Sequence, residues 1–97
     1  MHTAAMRVEL RIRDAGSLKE KRHVLKALKS RLMNTFGVAV AEVDHQDKWQ
    51  RATLGVAAVA ASPGHVDRIL HTVRAAIDED PRVEILEYAV SHLEGPE

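Results

Sequence analysis

Hydrophobic residues recur with two different periods in this chain, and the order of those periods restricts the fold. Residues 6–13 alternate apolar with charged side chains, which predicts a half-buried strand. Behind Ser17 the spacing becomes that of an amphipathic helix. Ser17 and Glu20 have the form of a capping box at its start, and Gly37 suits the left-handed residue at its end. The apolar stripe of this helix consists of Leu18, Val24, Leu25, Leu28 and Leu32.

The same two periods predict the remaining elements. They are a strand over residues 38–43, a polar loop over 44–51, a strand over 53–61, a helix between Ser62-Pro63 and Asp80-Pro81, and a strand over 82–92. The apolar phase of the last strand shifts between Ile85 and Leu86, which predicts a bulge there. Residues 94–97 are expected to be frayed.

The resulting order, β-α-β-β-α-β, predicts an α+β fold: the ferredoxin-like sandwich. Its sheet has four strands in an antiparallel or mixed arrangement, and both helices lie on one face. We expect strands one and three to be central and parallel. Residues 1–97 then form a single domain, with a core over residues 6–93.

Charge is balanced in total but divided along the chain. The chain has fourteen basic and fourteen acidic residues, yet residues 1–51 carry a net charge of +5 and residues 52–97 a net charge of −5. The balance excludes an indiscriminate cationic protein and an acidic disordered tail. The division predicts one basic and one acidic face, or else complementarity within the fold or between two copies.

Several classes of chemistry are excluded by composition and motif. The chain has no cysteine, so thiolate metal sites, disulfides and cysteine nucleophiles are ruled out. It also lacks the G-x-S-x-G, P-loop, G-x-G-x-x-G and H-E-x-x-H motifs, so we expect a non-enzymatic protein without a cofactor. The apolar run 54–61 is too short to span a bilayer, and charged residues leave no signal peptide near the start. A soluble, cytoplasmic domain is expected.

The first helix carries the most informative cluster of charge. Lys19, Arg22, Lys26 and Lys29 fall within about 80° on a helical wheel and form the α1 basic stripe. Lys21 and Arg31 add charge on its flanks, and Glu20 is the sole acid between Ser17 and Met33. Cations in a first helical turn oppose the helix dipole, and a phosphate partner would compensate for this. A solvated lysine-rich helix is the alternative.

The loop over residues 44–51 allows three interpretations. Asp44, His45 and Asp47 could hold a divalent ion, although a three-residue cluster is weak evidence for a metal and none is expected. The polar side chains could instead cap the backbone of their own hairpin. An exposed Trp49 beside Arg51 would suit a contact with a partner.

The third predicted strand is apolar at both sets of alternating positions, from Leu54 to Ala61. Small residues on the face away from the helices would permit a second sheet to approach closely, which favours a homodimer. The alternative is that alanine is tolerated on a wetted face. Neither central strand has an aromatic residue for base stacking, so any RNA contact would depend on charge and shape.

Two motifs carry a resemblance that covers residues 6–93. Ser17-Leu-Lys-Glu-Lys-Arg22 and residues 41–52, followed by Leu54-Gly55, resemble the YlxP family of small bacterial proteins. The resemblance implies a ferredoxin-like fold and marks residues 17–22 together with Glu42, Val43, Asp44, Gln46, Asp47, Trp49, Gln50 and Arg51. Genes of this family often lie beside those for translation initiation and ribosome maturation factors. The resemblance implies a protein that acts near the ribosome or its RNA, and it supplies no catalytic residues.

Taken together, the residues and the resemblance predict a module associated with RNA or the ribosome. The α1 basic stripe would contact phosphates, and Trp49 and Arg51 would contact a partner. The alternative function is a homodimeric domain for protein interaction or small-ligand regulation. An enzyme based on Asp44, His45 and Asp47 is the least favoured hypothesis.

Overall fold

The six predicted elements occur in the predicted order in the computed structural model, which describes residues 1–94. They are β1 (His2–Ile12), α1 (Leu18–Phe36), β2 (Ala39–Asp44), β3 (Arg51–Ala60), α2 (Pro63–Asp78) and β4 (Val83–Glu94). Fraying is expected at residues 94–97; Glu94 is instead the last residue of β4, and residues 95–97 lie outside the described residues. The boundaries differ by a few residues from those that the periodicity predicts, and β1 begins four residues earlier than predicted. The ferredoxin-like prediction is confirmed.

The sheet has the order β2-β3-β1-β4, and each neighbouring pair of strands is antiparallel. The prediction that β1 and β3 are central is therefore confirmed, but the prediction that they are parallel is wrong. The physical reason is the hairpin between β2 and β3. A helical crossover returns the chain in its original direction, so β2 runs like β1. The hairpin then reverses β3 relative to both.

Two bulges interrupt the strand registers. In β4, Glu9 pairs with Glu87 and Leu10 with Ile85, which leaves Leu86 as the extra residue and confirms the predicted bulge. In β2, Glu42 pairs with Leu54 and Asp44 with Thr53, so Val43 is a second extra residue. This second bulge lies where β2 enters the loop before β3, and it shifts the residues that follow relative to the strand's alternation.

The core lies between the sheet and the two helices. Alternate residues of β1 and β3 pack against the buried sides of the helices, and both elements contribute to one cluster. Ser17 caps α1 by accepting a hydrogen bond from the Glu20 backbone N–H at 3.1 Å, and Ser62 caps α2 in the same way. Gly37 ends α1 with φ of 66°, as its position predicts. Within residues 1–94, no helix is both long and apolar enough to cross a membrane.

A buried carboxylate fixes the turn between α2 and β4. Asp80 is 5% exposed, and its two carboxylate oxygens accept hydrogen bonds from the backbone N–H, the Nε and the NH2 group of Arg82 at 2.8–3.0 Å. The side-chain hydrogen bonds from Arg82 hold the pKa of Asp80 below its usual value of 3.8, although burial opposes them. The bond to Asp80 likewise raises the pKa of Arg82.

Asp80→Asn tests the contribution of this turn to stability. A depressed folded-state pKa means that the stabilisation is complete above pH 3.8 and is lost as pH falls through the lower, folded-state value. We expect the variant to lower Tm by about 5–10 °C at neutral pH. The difference from the parent protein should shrink as pH falls below 3.8 through the lower, folded-state pKa of Asp80. Thermal unfolding followed by circular dichroism across this range measures both effects, with the exposed Asp78→Asn as control. A difference in Tm that is independent of pH would contradict the assignment.

Candidate functional site

The α1 basic stripe lies on the exposed flank of its helix. Lys19, Arg22 and Lys26 are exposed, and Lys29 is half-buried. No carboxylate of residues 1–94 lies within ion-pair distance of any of the four. The structure therefore brings the four predicted cations together on one surface and leaves their charge without a counterion from the described part of the chain.

This stripe faces away from the second helix. Arg31, which was expected to add to the positive charge, instead lies 3.9 Å from Glu79 at the end of α2. At 100° per residue, the centre of the stripe lies about 160° around the helix from Arg31. α2 therefore does not cover the stripe, and an extended partner could follow it along the helix.

Lys21 has a different role from the one that its charge suggests. Its side chain is 1% exposed, so the prediction that it adds charge to the flank of the stripe is wrong. Its Nζ lies 2.8 Å from Glu42 Oε2 on β2 and donates a hydrogen bond to the backbone carbonyl of His45. Glu42 Oε2 is buried and accepts no hydrogen bond, so its contact with Lys21 is an ion pair. Lys21 joins α1 to the start of the β2–β3 loop.

The same loop is held from the opposite face of the sheet by Glu9 on β1. Glu9 Oε2 accepts a hydrogen bond from the Thr53 hydroxyl at 2.8 Å. It also lies 3.7 Å from His45 Nε2 and 4.0 Å from the Arg51 guanidinium. Thr53 is buried by this arrangement although it faces away from the helices. The loop is thus anchored through Lys21 on the helix side and through Glu9 on the open side.

The Trp49 side chain is exposed on this anchored loop. Its neighbour Gln50 donates a side-chain hydrogen bond to the Ala15 carbonyl at 3.2 Å, and the Gln50 carbonyl accepts from the Ile12 N–H at 2.9 Å. Trp49 itself is 54% exposed. Since Ala15 precedes the first residue of the stripe by only four positions, these bonds hold the backbone next to Trp49 close to the start of α1.

The loop does not assemble the candidate metal site. Asp44 Oδ1 accepts a hydrogen bond from the backbone N–H of His45 at 2.7 Å, and the His45 imidazole turns toward Glu9. Within residues 1–94, no group of three or more histidine and acidic side chains is placed to share a metal ion. Capping of the loop backbone, one of the three interpretations above, describes Asp44 correctly.

The sheet face opposite the helices is uncovered by the described residues. On β3, the residues that face the helices, Leu54, Val56 and Ala58, are buried. On the opposite face, Ala57 is exposed and Val59 is 60% exposed. Val43, at the β2 bulge, leans over Gly55, where a Cβ atom would lie 3.1 Å from Val43 Cγ1. The small and apolar residues of this face, termed the open face, are Ala5, Ala39, Ala41, Gly55, Ala57, Val59, Ala89 and Leu93.

The resemblance marks Lys21 and Glu42 without a role, and sequence reasoning missed the ion pair that they form and the anchor at Glu9, although the signal for the burial of Lys21 was present. Lys21 is spaced by four, seven and eleven residues from Leu25, Leu28 and Leu32, which places it on the buried side of α1. Glu42 occupies a helix-facing position of β2, which becomes evident once the strand pairing is known. Glu9 carries no comparable signal, because its partners come from β3 and the loop.

Comparison with known proteins agrees with this architecture. A solution NMR structure of the de novo designed protein LFR1 1 with ferredoxin fold matches 93% of this chain and 85% of its own, with a TM-score of 0.54 and 15% sequence identity. That likeness concerns the fold alone. Among curated proteins, the "Uncharacterized protein YlxP" of Bacillus subtilis (strain 168) is 48% identical over 73 residues, which are 75% of this chain and 79% of that protein.

The fold and the anchored loop define a small ferredoxin-like α+β domain whose two sequence motifs meet at Lys21. A family model described as "Protein of unknown function (DUF503)" matches residues 3–90, and the chain belongs to this family. The resemblance to YlxP proteins that the two motifs indicate is confirmed.

Lys21→Ala tests the buried junction between α1 and the loop. The change leaves Glu42 without its cation in a largely buried position, so we expect unfolding free energy to fall by about 3–5 kcal/mol. Replacing both members, as Lys21→Met with Glu42→Leu, removes both charges and should cost much less. Urea unfolding of each variant measures the difference.

Lys26→Ala on the exposed flank is the matched control and should change stability by no more than about 0.5 kcal/mol. A Lys21→Ala variant as stable as this control would show that the buried amine is dispensable to the fold.

Proposed function

We propose that this domain is a non-enzymatic, cytoplasmic module that binds RNA, in keeping with the resemblance that implies work near the ribosome. The observation that carries the proposal is the α1 basic stripe: four cations on one uncovered flank, without a carboxylate partner among residues 1–94. Charged helix surfaces usually interleave acids and bases at i,i+4, which lowers their net charge. This flank instead concentrates positive charge where the rest of the chain is neutral or acidic.

The position of the stripe on the helix supports an anionic partner. Lys19 and Arg22 lie in the first turns of α1, where the helix dipole disfavours cations. The burial of Lys21 accounts for the third cation in this segment, but these two have no such structural explanation. A phosphate would offset their mutual repulsion and would interact favourably with the helix N-terminus.

The spacing of the stripe suits a nucleic-acid backbone. Successive members are three or four residues apart, so they rise about 4.5–6 Å along the helix, and the whole stripe covers about 15 Å. Such a row can accompany several successive phosphates of one strand. Contacts of this kind position the protein and provide affinity but carry no base specificity.

Acidic residues elsewhere would orient the contact. Asp78 ends α2 and Glu87 lies on the outer strand β4, and both side chains are exposed. Because these residues repel phosphate, RNA is expected to approach from the α1 side. The balanced total charge is compatible with a directed contact of this kind.

Replacement of all four stripe residues by glutamine tests the proposal. Each phosphate neutralised on single-stranded RNA contributes about 0.7 to the slope of log affinity against log salt, so four contacts predict a slope of about −3. We expect the parent protein to bind ribosomal RNA at low salt with this slope, and the variant to lose that binding. Fluorescence anisotropy of labelled RNA fragments measures both.

A matched pair of double variants controls for total charge. Lys26→Gln with Lys29→Gln should reduce the slope by about 1.4, whereas Arg7→Gln with Arg68→Gln, which removes the same charge elsewhere, should leave it unchanged. Equal effects of the two pairs, or no binding by the parent at low salt, would refute the proposal.

A second candidate function is favoured by the open face. A dimer formed through it would make the domain a homodimeric platform for protein interaction or small-ligand regulation. Val59 and Leu93 are 60% and 69% exposed among small residues that permit a close approach of two sheets. Such a dimer is compatible with RNA binding, because the stripe lies on the opposite layer of the molecule.

Val59→Lys tests this second candidate by placing a charge on the open face, in the same row of paired residues as Leu93. We expect the parent protein to dimerise at micromolar concentrations and the variant to be monomeric, because the interface would bury an unpaired amine. Sedimentation equilibrium measures the mass of each. Val90→Lys, which adds the same charge at a partly exposed site on the helix side of the sheet, should leave the dimer intact. A monomeric parent protein would dismiss this candidate.

A further inference from the structure

The loop over residues 44–51 is hydrogen-bonded to Lys21 in the first turn of α1 and to Ala15 just before it, where the α1 basic stripe begins, and the loop and the stripe have complementary chemistry. The stripe has four positive charges and no aromatic residue. The loop holds two acidic and two basic residues and therefore has no net charge, but it presents the chain's sole tryptophan to solvent. One surface can attract a phosphate backbone, and the other can stack a base.

We propose that the ligand of this surface is single-stranded RNA, with Trp49 stacking on an unpaired base while the stripe follows the adjoining phosphates. This inference rests on the proposed function and specifies its ligand. Proteins that bind single strands combine a cationic track with aromatic platforms, because every base offers a π-face once it is unpaired. In a duplex the bases are stacked on each other, and Trp49 would have no face to occupy.

The contacts of the loop support a fixed platform. The Lys21 hydrogen bond to the His45 carbonyl ties one end of the loop to the first turn of α1, on the buried side of the helix. The Gln50 hydrogen bond to the Ala15 carbonyl, at 3.2 Å, ties the other end to the segment before α1. A loop whose backbone is held on both sides of Trp49 loses little further freedom when a base stacks on the indole, which favours binding.

The exposure of Trp49 supports a ligand-facing role. A tryptophan that served to close the loop would be buried against it, whereas Trp49 is 54% exposed. The residues on either side of it make backbone hydrogen bonds, with the Lys48 N–H donating to the His45 carbonyl at 3.1 Å and the Gln50 carbonyl accepting from Ile12. The loop therefore keeps its shape without the indole, and the side chain is available to a partner.

Because the chain has one tryptophan, its fluorescence reports on this residue alone. The probes are an oligoadenylate of about 12 nucleotides, within the usual range of site sizes, and a duplex RNA of the same length. Both carry a terminal label, so anisotropy measures binding independently of the tryptophan. We expect the single strand to quench Trp49 emission on binding and the duplex to leave it unchanged.

Trp49→Ala separates stacking from charge. We expect it to weaken binding of the single strand about 5- to 150-fold, which corresponds to the usual effect of removing one stacked base contact. The slope of affinity against salt should not change, because the indole neutralises no phosphate. Trp49→Phe should restore most of the affinity. Leu93→Ala, an even more exposed apolar residue on the open face, is the matched control and should have no effect.

The outcomes separate this inference from the proposed function. Binding by anisotropy with unchanged Trp49 emission, or with full affinity in Trp49→Ala, would overturn the stacking proposal and leave the stripe as the RNA site. Equal quenching by the duplex would also overturn it. Absence of binding to either RNA at low salt would overturn both.

Discussion

Two helices cover one face of a four-stranded sheet, and the other properties of the molecule follow from this asymmetry. Alternate residues of β1 and β3 enter the single apolar layer, so Val8 and Leu54 are fully buried while Arg7 and Ala57 face outward. Burial of this layer is the dominant favourable term in a domain of this size. Everything outside it is available for contacts: the outer flank of α1, the loop between β2 and β3, and the open face.

Lys21 links this core to the candidate site. A buried ion pair is not by itself a source of stability, since desolvation of both charges opposes their attraction. Its value lies in geometry, because the amine bridges Glu42 and the His45 carbonyl and so specifies where the loop sits relative to α1. The two motifs that resemble the YlxP family, separated along the chain, are in contact at this residue.

Much of the fold was predictable because local signals and tertiary packing agree. Ser17, Gly37 and Ser62 mark helix ends through hydrogen bonds and backbone angles that depend on near neighbours alone. The bulge at Leu86 was visible as a change of apolar phase within one strand. The antiparallel relation of β1 and β3 was mispredicted even though the element order implied it, because strand direction depends on counting reversals through both the crossover and the hairpin.

The features of the candidate site likewise divide into those that local sequence predicts and those that tertiary packing decides. Sequence alone determined the elements, the ferredoxin-like class and the clustering of Lys19, Arg22, Lys26 and Lys29, since helical periodicity is a local property. The tertiary structure decided that Lys21 is buried, that Arg31 meets Glu79, and that the loop holding the exposed Trp49 is bonded to the start of α1. Those three facts depend on which segments pack together, and charge type and spacing within one segment carry no information about the partner that a side chain will find across the fold.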